Sequence, residues 1–274
     1  MDALIFMLPP FAACLTLIGI HGYFGIHVLK RQIIFIDIAM AQITAFGVTL
    51  GLIFHIEPET PLAYLFPLAF VIIAAFIFSS LKYARLRIPL EAIIGMSYAL
   101  ATAAAVLVLD LGAGSHEHTK EMLIGSILWV SWPQILKSLF IYSGIGIVHY
   151  AFRDKILAIS ENYEHAKMSG INVRLWDFIF YLTLGITVVC SVQIGGILVV
   201  FAFLVIPASI STLFSQKWLS RILIGWTIGT LVSIFGLFIS WKYDAPSGPA
   251  VILFLAIFLL VAFSISKIVK KKNA

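Results

Sequence analysis

FIFYLTLGITVVCSVQIGGILVVFAFLVIPASISTLF, residues 178–214, is the stretch that decides the fold. It contains no Asp, Glu, Lys, Arg or His, so no charged side chain in it favours contact with water. A helix needs about 20 apolar residues to cross the hydrocarbon core of a bilayer, so a run of this length predicts two crossings. Gly195 and Gly196 interrupt the run and predict two helices joined by a tight turn, or an irregular pair inside a helical bundle.

The rest of the chain has the same apolar character. Of its 274 residues, 61% are hydrophobic and 11% are charged, and the mean hydropathy is +1.06. A soluble domain carries roughly 25% charged residues, so the composition excludes a water-soluble protein. It predicts an all-α, polytopic transmembrane bundle of eight or nine spans. The apolar runs place the spans near residues 4–29, 33–55, 62–80, 89–111, 133–152, 178–195, 196–214, 222–241 and 249–268.

The distribution of basic residues predicts the orientation of the bundle. If the N-terminus is outside, 15 of the 18 Lys and Arg residues lie in loops and a tail on one side. Loops rich in Lys and Arg stay in the cytoplasm, so the N-terminus is predicted outside and the C-terminus cytoplasmic. This topology accounts for the formal charge of +5, which therefore gives no indication of nucleic-acid binding. Cys14 and Cys190 both lie in apolar runs and predict no disulfide.

Residues 153–177, RDKILAISENYEHAKMSGINVRLWD, form the largest loop on the basic side. Their mixed charge and short helical pattern predict a helix beneath the membrane that ends near Ser169 and Gly170. No other segment predicted to be cytoplasmic is large enough to meet a soluble partner, which favours a docking role. A solvated linker is the alternative.

Several motifs resemble the ABC-3 family of metal-uptake permeases, the membrane subunits of zinc and manganese importers. The family's A-x-x-x-G helix, its span ending near Q-x-V/I-G and its following G-x-L-L/V-V-x-x-L-L/V-I-P-A motif all have counterparts, in the same order. These counterparts are Ala166 and Gly170, then Gln193, Gly195 and Gly196, then Pro207 and Ala208. Further resemblance lies in VLKRQIIFIDIAMAQ (28–42), EAIIG (91–95) and DAPSGP (244–249), so it covers nearly the whole chain.

The resemblance implies one transmembrane permease domain over residues 1–274, serving an importer of divalent metal in the bacterial plasma membrane. It implies three partners: a cytoplasmic ABC ATPase dimer, a second permease copy that is identical or a paralogue, and an extracellular or periplasmic metal-binding protein. The chain would contact membrane lipid and no nucleic acid, and it would bind no cofactor, since the metal ion is the transported substrate.

The same resemblance assigns the coupling to the ATPase to a helix within about residues 156–174. The residues that the ATPase would contact are Glu164, Ala166 and Gly170. If Ala166 and Gly170 lie one helical turn apart, they give that helix a shallow face. The sequence contains no G-x-x-x-x-G-K-[ST] motif. ATP hydrolysis is therefore expected in a separate subunit, and the chain itself is not expected to be an enzyme.

The candidate substrate pathway lies in the second span, where the sequence departs from the family. The family usually carries an Asp and a His four residues apart there. Alignment on Gly47 places Ile38 and Gln42 at those positions, and alignment on Asp37 places Ala41 at the His position, so the pair is missing in both alignments. Asp37 and Gln42 are the candidate pathway residues, and Asp37 is also a candidate metal ligand, because an intramembrane carboxylate should face the bundle interior or a wet cavity. Alternatively, Asp37 forms a structural pair with Lys30 or Arg31, and Gln42 only holds helices together.

His116 and His118, in the outer loop after the fourth span, are further candidate metal ligands for capture from a delivery protein. An ordinary exposed loop is the alternative there. For the chain as a whole, a stand-alone secondary transporter or channel for a cation is the alternative to an ATP-driven importer. An intramembrane enzyme is disfavoured, since no His/Asp/Glu cluster or Ser–His pair lies at helical spacing.

Overall fold

The computed structural model describes residues 3–57, 60–82, 87–111 and 127–273, and these ranges contain helices and no β-strand. The all-α prediction is confirmed. The helices are α1 (Ala3–Arg31), α2 (Ile36–Ile53), α3 (Pro61–Leu81), α4 (Leu90–Leu111), a 3₁₀ turn (Ile127–Trp129), α5 (Trp132–Ala151), α6 (Arg153–Glu161), α7 (Tyr163–Met168), α8 (Val173–Phe214), α9 (Trp218–Tyr243) and α10 (Ser247–Asn273).

Within the described ranges, seven helices are long and apolar enough to cross a membrane, and α5 with α6 forms an eighth candidate as a pair bent by 77°. One of the seven, α8, is 42 residues long, which is about 63 Å at 1.5 Å per residue and about twice the hydrocarbon thickness of a bilayer. Gly196 inside α8 has φ 74° and ψ 165°, which is not helical, so the predicted break is confirmed. With α8 counted as two crossings, the helices supply eight or nine spans.

The loop at residues 153–177, predicted to hold a single short helix, contains two. We refer to α6 and α7, Arg153–Met168, as the α6–α7 segment. Asn162 separates the two helices because its side chain caps α7, accepting a hydrogen bond from the backbone N–H of His165 at 3.0 Å.

The end of α7 is built around a left-handed glycine. Gly170 has φ 78°, and its N–H donates to the Lys167 carbonyl at 3.1 Å while the Ile171 N–H donates to the Ala166 carbonyl at 3.2 Å. This pair of bonds is the Schellman arrangement, in which glycine is favoured because it lacks a Cβ. The helix end predicted near Ser169 and Gly170 is confirmed.

The chain divides into two compact units, each assembled from separated stretches of sequence. One comprises residues 1–29, 123–143 and 191–274, and the other comprises residues 30–122 and 144–190. Because no single point in the sequence separates them, neither unit is a contiguous sequence domain. The single permease domain over residues 1–274 stays a prediction.

In the first unit, α9 packs closely on α1. The indole N–H of Trp226 donates to the Gly19 carbonyl at 3.1 Å. A Cβ placed on Gly229 would lie 2.9 Å from the side chain of Ile18, so a larger residue would require Ile18 or one of the helices to shift. Close contacts through small residues are typical of helices that pack within a membrane.

In the second unit, α2 is largely enclosed by protein. Eleven of its 18 residues are buried, and a Cβ on Gly47 would lie 2.7 Å from the Cα of Pro67 in α3. A helix buried on most of its sides faces protein rather than lipid. This enclosure matters for function because α2 carries Asp37 and Gln42.

Candidate functional site

Asp37 and Gln42, the candidate pathway residues, are both buried in α2, with 1% and 6% of their surface exposed. Asp37 lies in the first turn of α2. Five residues of ideal helix separate the two by about 140°, so they do not share one face. Both are nevertheless buried because α2 is enclosed on most sides. The structure therefore places both candidates inside the protein, on different sides of one helix.

The Asp37 carboxyl has unfilled hydrogen-bonding capacity. Within the described part of the chain, its Oδ1 atom has no hydrogen-bond partner. Arg31, one of the two partners considered in the structural alternative, is bound to Asp177 instead. A buried acceptor without a donor costs about 1–3 kcal/mol, so its presence in a native fold requires an explanation, of which a functional role is one.

A second carboxylate lies at the same end of α2. Phe35 occupies the N-cap position and supplies no side-chain cap. Its backbone N–H instead donates to Oε1 of Glu91, in the first turn of α4, at 3.0 Å. The carboxylates of Glu91 and Asp37 both suit the positive end of the α2 dipole. Glu91 therefore fixes the start of the helix that carries Asp37, a role that its position in the sequence did not predict.

No group of three or more His, Cys, Asp or Glu side chains that could hold a metal ion occurs among the described residues. His116 and His118, the candidate ligands of the outer loop, lie outside those residues. Asp37 thus remains the candidate ligand whose surroundings the structure describes.

The shallow face predicted for the α6–α7 segment is wrong in its geometry. Ala166 is fully buried, and Gly170 lies beyond the end of α7 in a left-handed conformation. Ala166 packs inside the protein and Gly170 terminates a helix, and the contact of either residue with an ATPase stays a prediction. The exposed side of α7 is formed by other residues: Glu164, His165, Lys167 and Met168.

Three charged side chains that the sequence did not bring together meet beside the α6–α7 segment. Asp177, near the start of α8, is fully buried and pairs through Oδ1 with Nη1 of Arg31, the last residue of α1. Its Oδ2 accepts a hydrogen bond from Nζ of Lys82, just beyond α3, at 2.7 Å. Burial lowers the pKa of the Lys82 ammonium from its usual range, and the Asp177 carboxylate opposes this shift. We call these three side chains the Asp177 cluster.

Each cation of the Asp177 cluster also contacts the α6–α7 segment. Arg31 Nε donates to Ser160 Oγ at 2.8 Å, and Arg31 Nη2 donates to the Ile156 carbonyl at 3.4 Å. The Lys82 ammonium lies 5.0 Å from the ring centroid of Tyr163, the first residue of α7. One buried carboxylate is therefore connected to α6 through Arg31 and to α7 through Lys82.

The Asp177 cluster was missed because its members are far apart in the sequence. In the sequence, Lys82 indicates only the orientation, Arg31 indicates the orientation or a pair with Asp37, and neither pattern points to Asp177. The available signal was Asp177 itself, a carboxylate one residue before a long apolar run, where an unpaired charge would be costly. Which cations pair with it could be learned only from the fold.

The comparisons with known proteins agree along almost the entire chain. The sequence model of the ABC 3 transport family matches residues 3–266. A relative from Chlamydia pneumoniae named "Probable metal transport system membrane protein" is 26% identical, with 98% of this chain and 90% of the relative covered. The zinc uptake system membrane protein ZnuB of Haemophilus influenzae is 24% identical over 87% of this chain and 90% of its own length.

Two further similarities concern a manganese system and a solved structure. The manganese transport system membrane protein MntC of Listeria innocua is 27% identical, with 65% of this chain and 63% of the relative covered. The fold is similar to that of PsaBC from Streptococcus pneumoniae, solved in complex with Fab. That match has a TM-score of 0.79 at 21% identity and covers 94% of this chain and 91% of that chain.

Proposed function

The chain belongs to the ABC 3 transport family, and from this membership we propose that it is the membrane-spanning permease subunit of an ATP-driven importer of a divalent transition metal, located in the bacterial plasma membrane. The observation that carries the proposal is the family match over residues 3–266 of 274. Relatives named for zinc and for manganese transport support a metal ion as the substrate. The enclosed α2, with a buried carboxylate at one end, supplies a polar position inside an apolar bundle.

The energy source in this proposal is a separate ATPase. The sequence lacks the phosphate-binding loop G-x-x-x-x-G-K-[ST], so the chain has no phosphate cradle of that type. The exposed side of α7, which includes Glu164 and Met168, is the surface offered to an ATPase dimer on the cytoplasmic side. A second permease copy and an extracellular metal-binding protein complete the importer.

We propose that the ion passes Asp37 and, at a different point of the pathway, Gln42, in a conformation more open than this one. Both residues are buried here, so α2 or the helices packed on it must move before an ion can reach them. Their carboxylate and amide oxygens are hard donors, which suit Mn²⁺ better than the nitrogen and sulfur sites that zinc favours. The proposed substrate is therefore of the manganese class, with zinc as the competing metal.

The proposal is tested by element-resolved uptake. Cells lacking this protein are complemented with the wild-type chain, and their manganese, zinc and iron contents are measured by mass spectrometry after growth at limiting metal. We expect the wild-type chain to restore manganese by several fold. The affinity-tagged chain should also copurify with an ATP-binding subunit.

Two results would contradict the proposal. One is restoration of no divalent metal at any external concentration. The other is uptake that continues when the copurifying ATPase carries an inactivating substitution in its phosphate-binding loop but stops when the proton gradient is collapsed. That second result would identify a secondary transporter.

A further inference from the structure

We propose that the Asp177 cluster is a positioning device that holds the α6–α7 segment against the ends of α1 and α3 and passes displacements of that segment to α2. The proposal rests on the proposed function, in which α7 is the surface on which the ATPase acts. The members of the cluster are positioning residues: they act through the helices they hold, and none is proposed to contact the ion.

The cluster connects the ends of three long helices at the point where the α6–α7 segment packs against them. Asp177 belongs to α8, Arg31 ends α1, and Lys82 follows α3. Both oxygens of the carboxylate are used, one by each cation. Since Arg31 and Lys82 each also contact the α6–α7 segment, a shift of that segment pulls on a cation that is tethered to a second helix.

The connection continues from Arg31 to the candidate pathway. Residues 32–35 separate the end of α1 from the start of α2, and Gln32 in this link has a left-handed φ of 57°. Because the link has only four residues, and one of them has a constrained backbone, the end of α1 can move little without moving the start of α2. A displacement of the Arg31 guanidinium therefore moves the first turn of α2, where Asp37 lies.

Stability alone does not explain why three charges meet here. Buried ion pairs can often be replaced by apolar side chains without loss of stability, because desolvation offsets the attraction between the charges. Charged groups add hydrogen bonds of defined direction. The planar Arg31 guanidinium binds Asp177, Ser160 and the Ile156 carbonyl at the same time, which fixes their relative positions. The guanidinium also lies 3.9 Å from the ring centroid of Phe180, which supports it from α8.

The central experiment measures coupling rather than activity alone. The importer complex, purified with its ATPase, is reconstituted in vesicles, and manganese uptake and ATP hydrolysis are measured on the same samples. Asp177→Asn keeps the shape of the side chain and removes its charge. We expect uptake per ATP hydrolysed to fall at least tenfold, while ATP hydrolysis and copurification of the ATPase persist.

The matched control is Asp154→Asn in the same segment. Asp154 is 94% exposed and pairs with Arg153 at 3.7 Å on the surface. Asp154→Asn removes one negative charge, as Asp177→Asn does, but leaves the Asp177 cluster unchanged. The ratio of uptake to ATP hydrolysis should therefore stay within twofold of the wild type. An equal fall of that ratio in both variants would overturn the proposal.

A double variant separates positioning from charge balance. Asp177→Asn leaves two cations without their anion, whereas Lys82→Met with Asp177→Asn returns the cluster to its original net charge. We expect the double variant to accumulate normally and to stay uncoupled, because the bridges to the α6–α7 segment remain broken. Recovery of normal uptake per ATP would overturn the proposal. If Asp177→Asn alone does not accumulate, the double variant is the test.

A measurement that needs neither metal nor ATP tests, independently of the proposed function, whether the Asp177 cluster holds the α6–α7 segment in place. Hydrogen exchange in the α6–α7 segment should be at least tenfold faster in the double variant than in Asp154→Asn. Unchanged exchange would refute the cluster as the holder of this segment. If the wild-type complex transports no divalent metal, the proposed function fails, and the exchange result still decides whether the cluster holds α6 and α7.

Discussion

Replacing Asp37 by Asn should lower transport more than tenfold, if Asp37 contacts the ion as proposed, without destabilising the protein. The side chain is buried, and within the described residues its Oδ1 atom accepts no hydrogen bond. Loss of the charge relieves a desolvation cost, since a neutral amide is cheaper to bury than a carboxylate. The favourable interaction of a carboxylate with the helix N-terminus is lost at the same time, at about 0.3–1 kcal/mol.

These two effects oppose each other, so the free energy of unfolding should change by less than about 1 kcal/mol. Asp177→Asn, which breaks a buried ion pair, should instead cost about 3–5 kcal/mol. If Asp37 is a ligand, manganese uptake should fall more than tenfold in Asp37→Asn, because the amide can no longer neutralise the charge of a divalent ion.

The assay combines thermal unfolding in detergent, followed by intrinsic tryptophan fluorescence, with manganese uptake by the reconstituted importer. Asp110→Asn is the control, because Asp110 is an exposed carboxylate near the end of α4. It should change neither quantity. Destabilisation of Asp37→Asn by more than about 2 kcal/mol, with normal uptake per assembled complex, would refute a pathway role and favour a structural one.

Other predictions follow from exposure and backbone geometry. A cysteine placed at Glu57 should react with a membrane-impermeant thiol reagent on intact cells, and one placed at the exposed Met168 should react only after lysis. The reverse pattern would contradict the predicted orientation, with the N-terminus outside. Gly170→Ala should lower the free energy of unfolding by about 1 kcal/mol, since its φ of 78° disfavours a Cβ; an unchanged unfolding temperature would argue against a left-handed helix end. Ala166→Trp should reduce the amount of folded permease because Ala166 is fully buried. Met168→Asp should leave folding intact and weaken copurification of the ATPase, because Met168 is exposed. The opposite pattern would show that Ala166 faces the partner.

Much of the fold could be predicted from the sequence because burial in a bilayer is a local property. Each span must be apolar along its own length, so hydropathy located the helices, and the glycine pair marked the break in α8. The end of α7 was also predictable, since a glycine that terminates a helix leaves a local signal. The candidate pathway residue Asp37 was found in the same way, as a carboxylate where an apolar side chain is expected.

The tertiary structure decided how side chains from distant segments meet. That Asp177 binds Arg31 and Lys82, that Glu91 caps α2, and that Ala166 is buried all depend on which helix ends come together. A basic residue at the end of a span has the same sequence signature whether it sets topology or forms a buried ion pair. The sequence by itself therefore determined the helices, their glycine break and the family, because these depend on hydropathy and on motifs read along the chain. The pairing of charges is a property of three-dimensional proximity, which a one-dimensional pattern does not contain.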